Sequence, residues 1–324
     1  MNSVVVTGGA LIVDATNVET INTRFPIKAL SEINYSEYLG SKGLKYLTQA
    51  TKMSLVASIL AKEHAHLDEI SPIKSGVVQA TNLSSIQSVS EFIHVSLEEG
   101  VSCVSPMQGP NLILNASTAR LGMLHKISGF NTTLTSGRVG AIDALEYGYN
   151  AIISGEVDVC FVAAVEEGSL EYVNWFDNAG LHGQTKGSLI DIAGTIILES
   201  EEHAKKRNAQ IYGEILGFSG LFDTDALLKT GSSETDKYAE LVKDWSGIYN
   251  ICIDESKLES LSFSKDAEII NCADIYKDEL YGASGIVQTI HSLNTFDNRQ
   301  GIVLNRDWFG NYRSMMMKRL DNEN

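Results

Sequence analysis

The stretch from Ser128 to Leu145, SGFNTTLTSGRVGAIDAL, has the pattern of a pedestal for a nucleophile. Phe130 to Thr135 is rich in β-branched residues, which predicts a strand. Ser136-Gly137 predicts a turn. Ile142, Leu145, Tyr149 and Ile152 then recur at helical spacing. Such an elbow presents its first helical residue to the positive end of the helix dipole, where a thiolate or an oxyanion is stabilised. The residue at that place is Arg138. A guanidinium stays protonated and cannot act as a nucleophile. The other reactive side chains do not form a motif. Cys103, Cys160, Cys252 and Cys272 are scattered, with no CxxC or regular Cys/His spacing. Neither a disulfide framework, a zinc site nor any other metal or cofactor is expected. Val4-Val5-Val6 followed by Gly8-Gly9 reads as a buried strand and a turn. Without GxGxxG or GxxxxGK[ST], the glycine pair is not a phosphate loop.

The elements around the elbow alternate. Residues 44–64 predict a helix with Tyr46, Ala50, Met53, Ala57 and Leu60 on one face. Gly76-Val77-Val78 starts a short strand. Residues 111–125 predict a helix after Pro110. The elbow helix runs to about Gly155. VDVCFVAAV at 157–165 is apolar without alternation, as in a strand buried on both faces. Further strands are predicted at 192–199 and 210–218, read as neighbours, and at 249–253 and 268–272. GASGIVQTIHSL at 282–293 predicts a glycine-entered helix, and GIVLN and SMMMKRL predict closing strands. EYVNWFDNAGLHGQTKG at 171–187 reads as a long loop. Alternating strands and helices indicate an α/β architecture. No linker separates the halves, so residues 1–170 and 171–324 are expected to share one body.

The 324 residues carry a formal net charge of −16. That balance argues against a nucleic-acid surface, which needs clustered positive charge. No segment has the uninterrupted apolar length of a membrane span. The N-terminus MNSVVVTGG lacks the basic flank of a signal peptide, so the cytoplasm is expected. The basic stretches HAKKRN at 203–208 and YRSMMMKRL at 312–320 read as solvated surface.

Three blocks resemble the β-ketoacyl synthases of the thiolase superfamily. The first runs from Ser105-Pro106 to Glu167 and includes Pro110, Asn115, Gly129, the elbow and Gly155-Glu-Val-Asp-Val, similar to the family's "GDADV". The second, DIAGTIILESEEHAKKRNAQIYGEILGF at 191–218, resembles the family's GAG strand and "EEHAKKRGA" loop. The third, LYGASGIVQTI at 280–290, is similar to "LLGAAGAVESI". The resemblance implies a thiolase-like fold. That fold has five layers, αβαβα, built from two pseudo-symmetric βαβαβαββ halves, and its members dimerise near the active site.

The resemblance also implies a catalytic set, which this chain lacks. Arg138 stands at the nucleophile cysteine. Nothing between Ile253 and Ile269 matches the "HGTST" loop. Glu279 and Asp274 stand where a second histidine and a lysine are implied. The loop "SFGFGGTN" is here RDWFGNYR, sharing only Phe309 and Gly310, and the "DGF" loop is deleted. Condensation needs a thiolate and paired imidazoles. The expectation is a silent homologue resembling the chain-length factors of type II polyketide synthases, in which Arg138 pairs with Glu279. Those factors commonly carry Gln at the nucleophile position, from which Arg138 departs.

By the same resemblance the chain pairs with an active ketosynthase as a heterodimer and helps shape its chain tunnel. Leu83, Met107, Gln108, Asn111, Leu112 and Asn115 are expected at that tunnel and interface. An acidic acyl carrier protein is expected to dock mainly on the partner, because this chain is itself acidic. A residual acyl- or malonyl-processing enzyme and a purely structural scaffold remain alternatives.

Overall fold

The apolar run at 157–165 becomes a strand whose two faces feed two different cores. Val159, Phe161, Ala163 and Val165 belong to one, and Cys160, Val162 and Ala164 to the other. This is why the run shows no alternation. The structure is a computed structural model. It describes residues 3–14, 24–169, 171–172, 174, 178, 189–224, 234–243, 245, 250–254, 268–276, 278–296 and 299–320. Most of the expected loop at 171–187 lies outside these.

The strands are β1 (Val4–Val13), β2 (Ile27–Ala29), β3 (Ser75–Ala80), β4 (Phe130–Leu134), β5 (Val159–Glu166), β6 (Ile192–Ser200), β7 (Gly213–Phe222), β8 (Asn250–Ile253), β9 (Glu268–Asn271), β10 (Gln300–Arg306) and β11 (Asn311–Arg319). They form one 11-stranded sheet in the order β4-β3-β5-β6-β1-β7-β11-β10-β8-β9, with β2 beside β1. The order has an internal symmetry. β3 lies between β4 and β5, all parallel, and β6 runs antiparallel to β5 and β1. In the second half β8 lies between β9 and β10, all parallel, and β11 runs antiparallel to β10 and β7. The halves meet where β1 pairs antiparallel with β7 over Val4–Val6.

Helices complete the layers. The elbow helix α5 (Gly140–Ile153) and α9 (Ser284–Thr295) share a core with Val78, Val162, Val303 and Met315, strand residues of both halves. Outside the first half lie α2 (Gln49–His64) and α4 (Ala116–His125), and outside the second lies α7 (Glu234–Leu241). The layer sequence is αβαβα, the thiolase-like arrangement. Among the described residues, the remaining helices are α1 (Tyr35–Leu39), α3 (Ile86–Glu98), α6 (Glu201–Lys206) and α8 (Cys272–Tyr276). Among the described residues, no helix is long and apolar enough to cross a membrane.

The structure corrects several local expectations. β1 continues through Gly8-Gly9 to Val13 with only a register shift between Val6 and Gly8, so the pair is no turn. Its glycine is needed for closeness. A Cβ at Gly8 would lie 2.6 Å from Ala65 Cβ and 2.8 Å from the Ala61 carbonyl at the end of α2. β6 and β7 are not neighbours, because β1 is inserted between them. The helix expected from residue 44 begins at Gln49 and leaves Tyr46 exposed outside it. The one expected from residue 111 begins at Ala116, after a 3-10 turn over Pro106–Asn111. Pro110 sits inside that turn, not at an α-helix start.

Candidate functional site

The elbow forms as its residue types predict. β4 ends at Leu134, a 3-10 turn covers Gly137–Val139, and α5 follows. Gly137 takes φ +64°, a left-handed value that glycine adopts without strain. Asn82, just after β3, clamps this turn. Its Oδ1 accepts from Gly137 N–H at 3.0 Å, and its Nδ2 donates to the Gly137 carbonyl at 3.2 Å. Asn82 is itself fixed by Glu166 at the end of β5, which accepts from the backbone N–H groups of Asn82 and Leu83. Burial pushes the Glu166 carboxyl up to about 7, against the lowering effect of these hydrogen bonds.

Arg138 turns inward from this frame and is 3 % exposed. Its Nε donates to Glu279 Oε1 at 2.8 Å, so the expected pair is present. A terminal nitrogen donates to Asp254 Oδ2 at 3.3 Å and to the Asp254 carbonyl at 3.2 Å. The other donates to the Arg306 carbonyl at 3.3 Å. The guanidinium also lies over the Trp308 ring, 5.5 Å from its centroid. The two carboxylates are fully buried and come from opposite sides. Asp254 directly follows β8 and accepts from Ser284 Oγ at 2.7 Å. Glu279 lies between α8 and α9 and accepts from Tyr281 N–H at 3.0 Å. Asp254 was not singled out from the sequence. Its signal there is a charged residue directly after the apolar Ile251–Ile253. Asp274 is exposed on α8.

The arrangement holds a cation rigidly between two anions. Among the described residues, no cluster of His, Cys, Asp or Glu could hold a metal ion.

The candidate tunnel residues fall into two groups. Leu83 is buried beside Tyr172, Leu189 and Tyr281, next to the Asn82 clamp. Met107 and Gln108 are exposed on the 3-10 turn, with Asn115 exposed at the start of α4 and Leu112 half-buried. Asn111 turns inward, and its Nδ2 donates to the Tyr46 carbonyl at 2.6 Å. Ile93, Leu97, Val101 and Ile113, on the segments near this turn, are exposed as well. Outside the elbow lies a groove of about 800 Å³, walled by Ser136, Gly137, Val139, Asp143, Glu146, Tyr281, Phe309 and Arg313, among others. Arg313 bridges Asp143 and Glu146 within it.

No family model matches the chain. It is 24 % identical over 240 residues to 3-oxoacyl-[acyl-carrier-protein] synthase 2 of Vibrio harveyi, covering 68 % of this chain and 56 % of that protein. It is 25 % identical over 223 residues to 3-oxoacyl-[acyl-carrier-protein] synthase 1 of Haemophilus influenzae, covering 63 % and 55 %. The chain thus spans little more than half the length of these curated relatives. Two solved structures superpose over nearly its whole length. A type II polyketide synthase acyl-carrier protein in complex with its ketosynthase, bound to the hexaketide, matches with TM-score 0.81 and 20 % identity over 99 % of this chain and 100 % of that one. The ishigamide ketosynthase/chain length factor matches with TM-score 0.78 and 17 % identity over 98 % and 100 %. The chain has the thiolase-like fold of these ketosynthase structures, and its sequence is similar to 3-oxoacyl-[acyl-carrier-protein] synthases.

Proposed function

We propose that the chain is a catalytically silent, ketosynthase-like subunit, a chain-length factor. It pairs with an active β-ketoacyl synthase and shapes the polyketide or polyene chain tunnel at their interface. One observation carries this reading: the elbow position is held by Arg138, itself locked by Asp254 and Glu279. A locked guanidinium cannot be acylated, and the Glu279 carboxylate opposes an enolate at the place where an imidazole would stabilise one. The purified chain is therefore expected to take up no acyl group from acyl- or malonyl-carrier protein. Arg138→Cys alone is expected to give no condensation, because no imidazole accompanies the thiol. Intact mass and single-turnover assays check both. Stoichiometric acylation of the wild-type chain, or turnover by that single variant, sinks the reading and favours a residual enzyme.

Pairing is supported by the exposed apolar surface around Met107 and Ile113 and by the outer edge of β4, which ends the strand order. Patches of this kind mark interaction sites. Co-expression with candidate ketosynthases is expected to give a 1:1 complex on size exclusion. Gln108→Phe and Leu112→Trp are expected to shorten the products of that complex without dissociating it, because added volume blocks extension. Product profiling decides. Unchanged chain lengths with an intact complex leave only the scaffold reading.

The carrier protein is proposed to dock on the partner, since a chain of net charge −16 repels an acidic carrier. Charge reversal on the partner's basic surface is expected to weaken carrier binding more than neutralising Lys205, Lys206 and Arg207 here. Titration calorimetry on the reconstituted complex gives the ranking, and the opposite order moves the docking site to this subunit.

A further inference from the structure

The groove outside the elbow touches the elbow's backbone but not its side-chain chemistry. Ser136, Gly137 and Val139 line it, while Arg138, Asp254 and Glu279 do not. Tyr281 lines the groove and is itself only 8 % exposed. Its ring stacks on the Trp308 ring, with centroids 5.4 Å apart and planes 22° apart. Trp308 in turn covers the Arg138 guanidinium. Tyr172 packs against Tyr281 from another side at 5.9 Å, closing a cluster with Leu83 and Leu189.

Tyr281 is held there at a backbone cost. Its φ is +43°, a region that a bulky residue rarely enters. Such a conformation persists only where the surroundings impose it. Its N–H bond to Glu279 and the stack on Trp308 are among the contacts that hold it there. The same carboxylate that locks Arg138 therefore fixes the ring.

We infer that Tyr281 and Trp308 form a fixed aromatic shutter that bars a thioester arm from the elbow of this chain, so that acyl groups are loaded only on the partner. The barrier is a property of this chain's own geometry; its consequence for loading rests on the silent-subunit reading above. The shutter makes the elbow inaccessible independently of which residue stands at position 138. Arg138→Cys would then leave its thiol sealed.

Alkylation of the isolated chain tests this. The probes are iodoacetamide and a bromoacetyl derivative of pantetheine, a mimic of the arm. The exposed Cys103 serves as the internal standard in every variant. The thiol introduced by Arg138→Cys is expected to react at least about tenfold more slowly than Cys103 with both probes. Adding Tyr281→Gly, which relieves the positive φ and removes the ring, is expected to raise the rate at position 138 at least about tenfold, and Trp308→Ala to do likewise. A position-138 thiol that already reacts like Cys103, or one that stays slow after both ring deletions, overturns the shutter. Circular dichroism checks folding. Should Arg138→Cys not fold, peptide mapping after phenylglyoxal treatment decides on the native arginine. Arg138 is expected to be modified in Tyr281→Gly and spared in the wild type, with the exposed Arg299 as the standard. Equal modification of Arg138 in both proteins overturns the shutter. Because these rates need no partner, they are separable from the silent-subunit reading, which fails instead on acylation of the wild-type chain.

Discussion

Arg138→Leu lowers the stability of the fold by about 3–5 kcal/mol, the cost of breaking a buried pair from one side. The substitution leaves Asp254 and Glu279 behind, 1 % and 0 % exposed, without their shared cation. Asp254 keeps Ser284 Oγ and Glu279 keeps the Tyr281 N–H, but neither donor carries charge. Arg138→Lys is expected to fall in between. An ammonium restores the charge but cannot reach two carboxylates and two carbonyls with one planar fork. Adding Glu279→Gln to Arg138→Leu is expected to recover part of the loss, since one buried anion disappears. Urea unfolding of the four proteins measures the series. A wild-type-like Arg138→Leu shows that the triad contributes no net stability.

Two buried carboxyls are expected to act on stability in opposite senses as pH changes, Glu199 on the acid side and Glu166 toward neutrality. Glu199 in β6 is fully buried. Burial pushes its carboxyl up, but hydrogen bonds from His203, Arg207 and Thr7 outweigh this and hold it at about 2, against 4.5 for an ordinary glutamate. A carboxyl lowered by folding adds stability above its unfolded value and loses it as pH falls toward its folded value. The loss therefore runs from about pH 4.5 to 2 and amounts to about 3 kcal/mol. Glu166 acts in the opposite sense. Its carboxyl is raised by burial to about 7, so the folded state holds a proton that the unfolded state releases near 4.5. The contribution of Glu166 then declines as pH rises from 4.5 to 7, again by about 3 kcal/mol. Unfolding free energies measured from pH 2.5 to 8 on wild type, Glu199→Gln and Glu166→Gln separate the limbs. Relative to wild type, Glu199→Gln is expected to lose less stability between pH 4.5 and 2.5, and Glu166→Gln less between pH 4.5 and 7, where Glu167, also raised by burial to about 7, keeps part of the slope. An acid limb of unchanged slope in Glu199→Gln shows that another group controls acid unfolding.

The sequence by itself determined most of the strands and helices and the residue that stands at the elbow. Periodicity and turn chemistry are local, so residues 128–153 were legible as strand, turn and helix before any contact was known. The run at 157–165 was legible as a strand covered on both faces for the same reason. That a guanidinium stands at the elbow also needed no coordinates, because the resemblance runs through it without gaps. Strand order was not local. Residues 192–199 and 210–218 are close in the chain but are separated in the sheet by β1, almost two hundred residues away. Gly8 read as a turn because its need is an approach of α2, which only packing creates. The triad was half legible: resemblance brought Glu279 to Arg138, but Asp254 enters from the end of β8, and nothing in its flanking residues encodes that meeting. The shutter was not legible at all. Tyr281 and Trp308 are ordinary aromatic residues in sequence, and their stack over a buried cation exists only because the ends of two halves converge on one point.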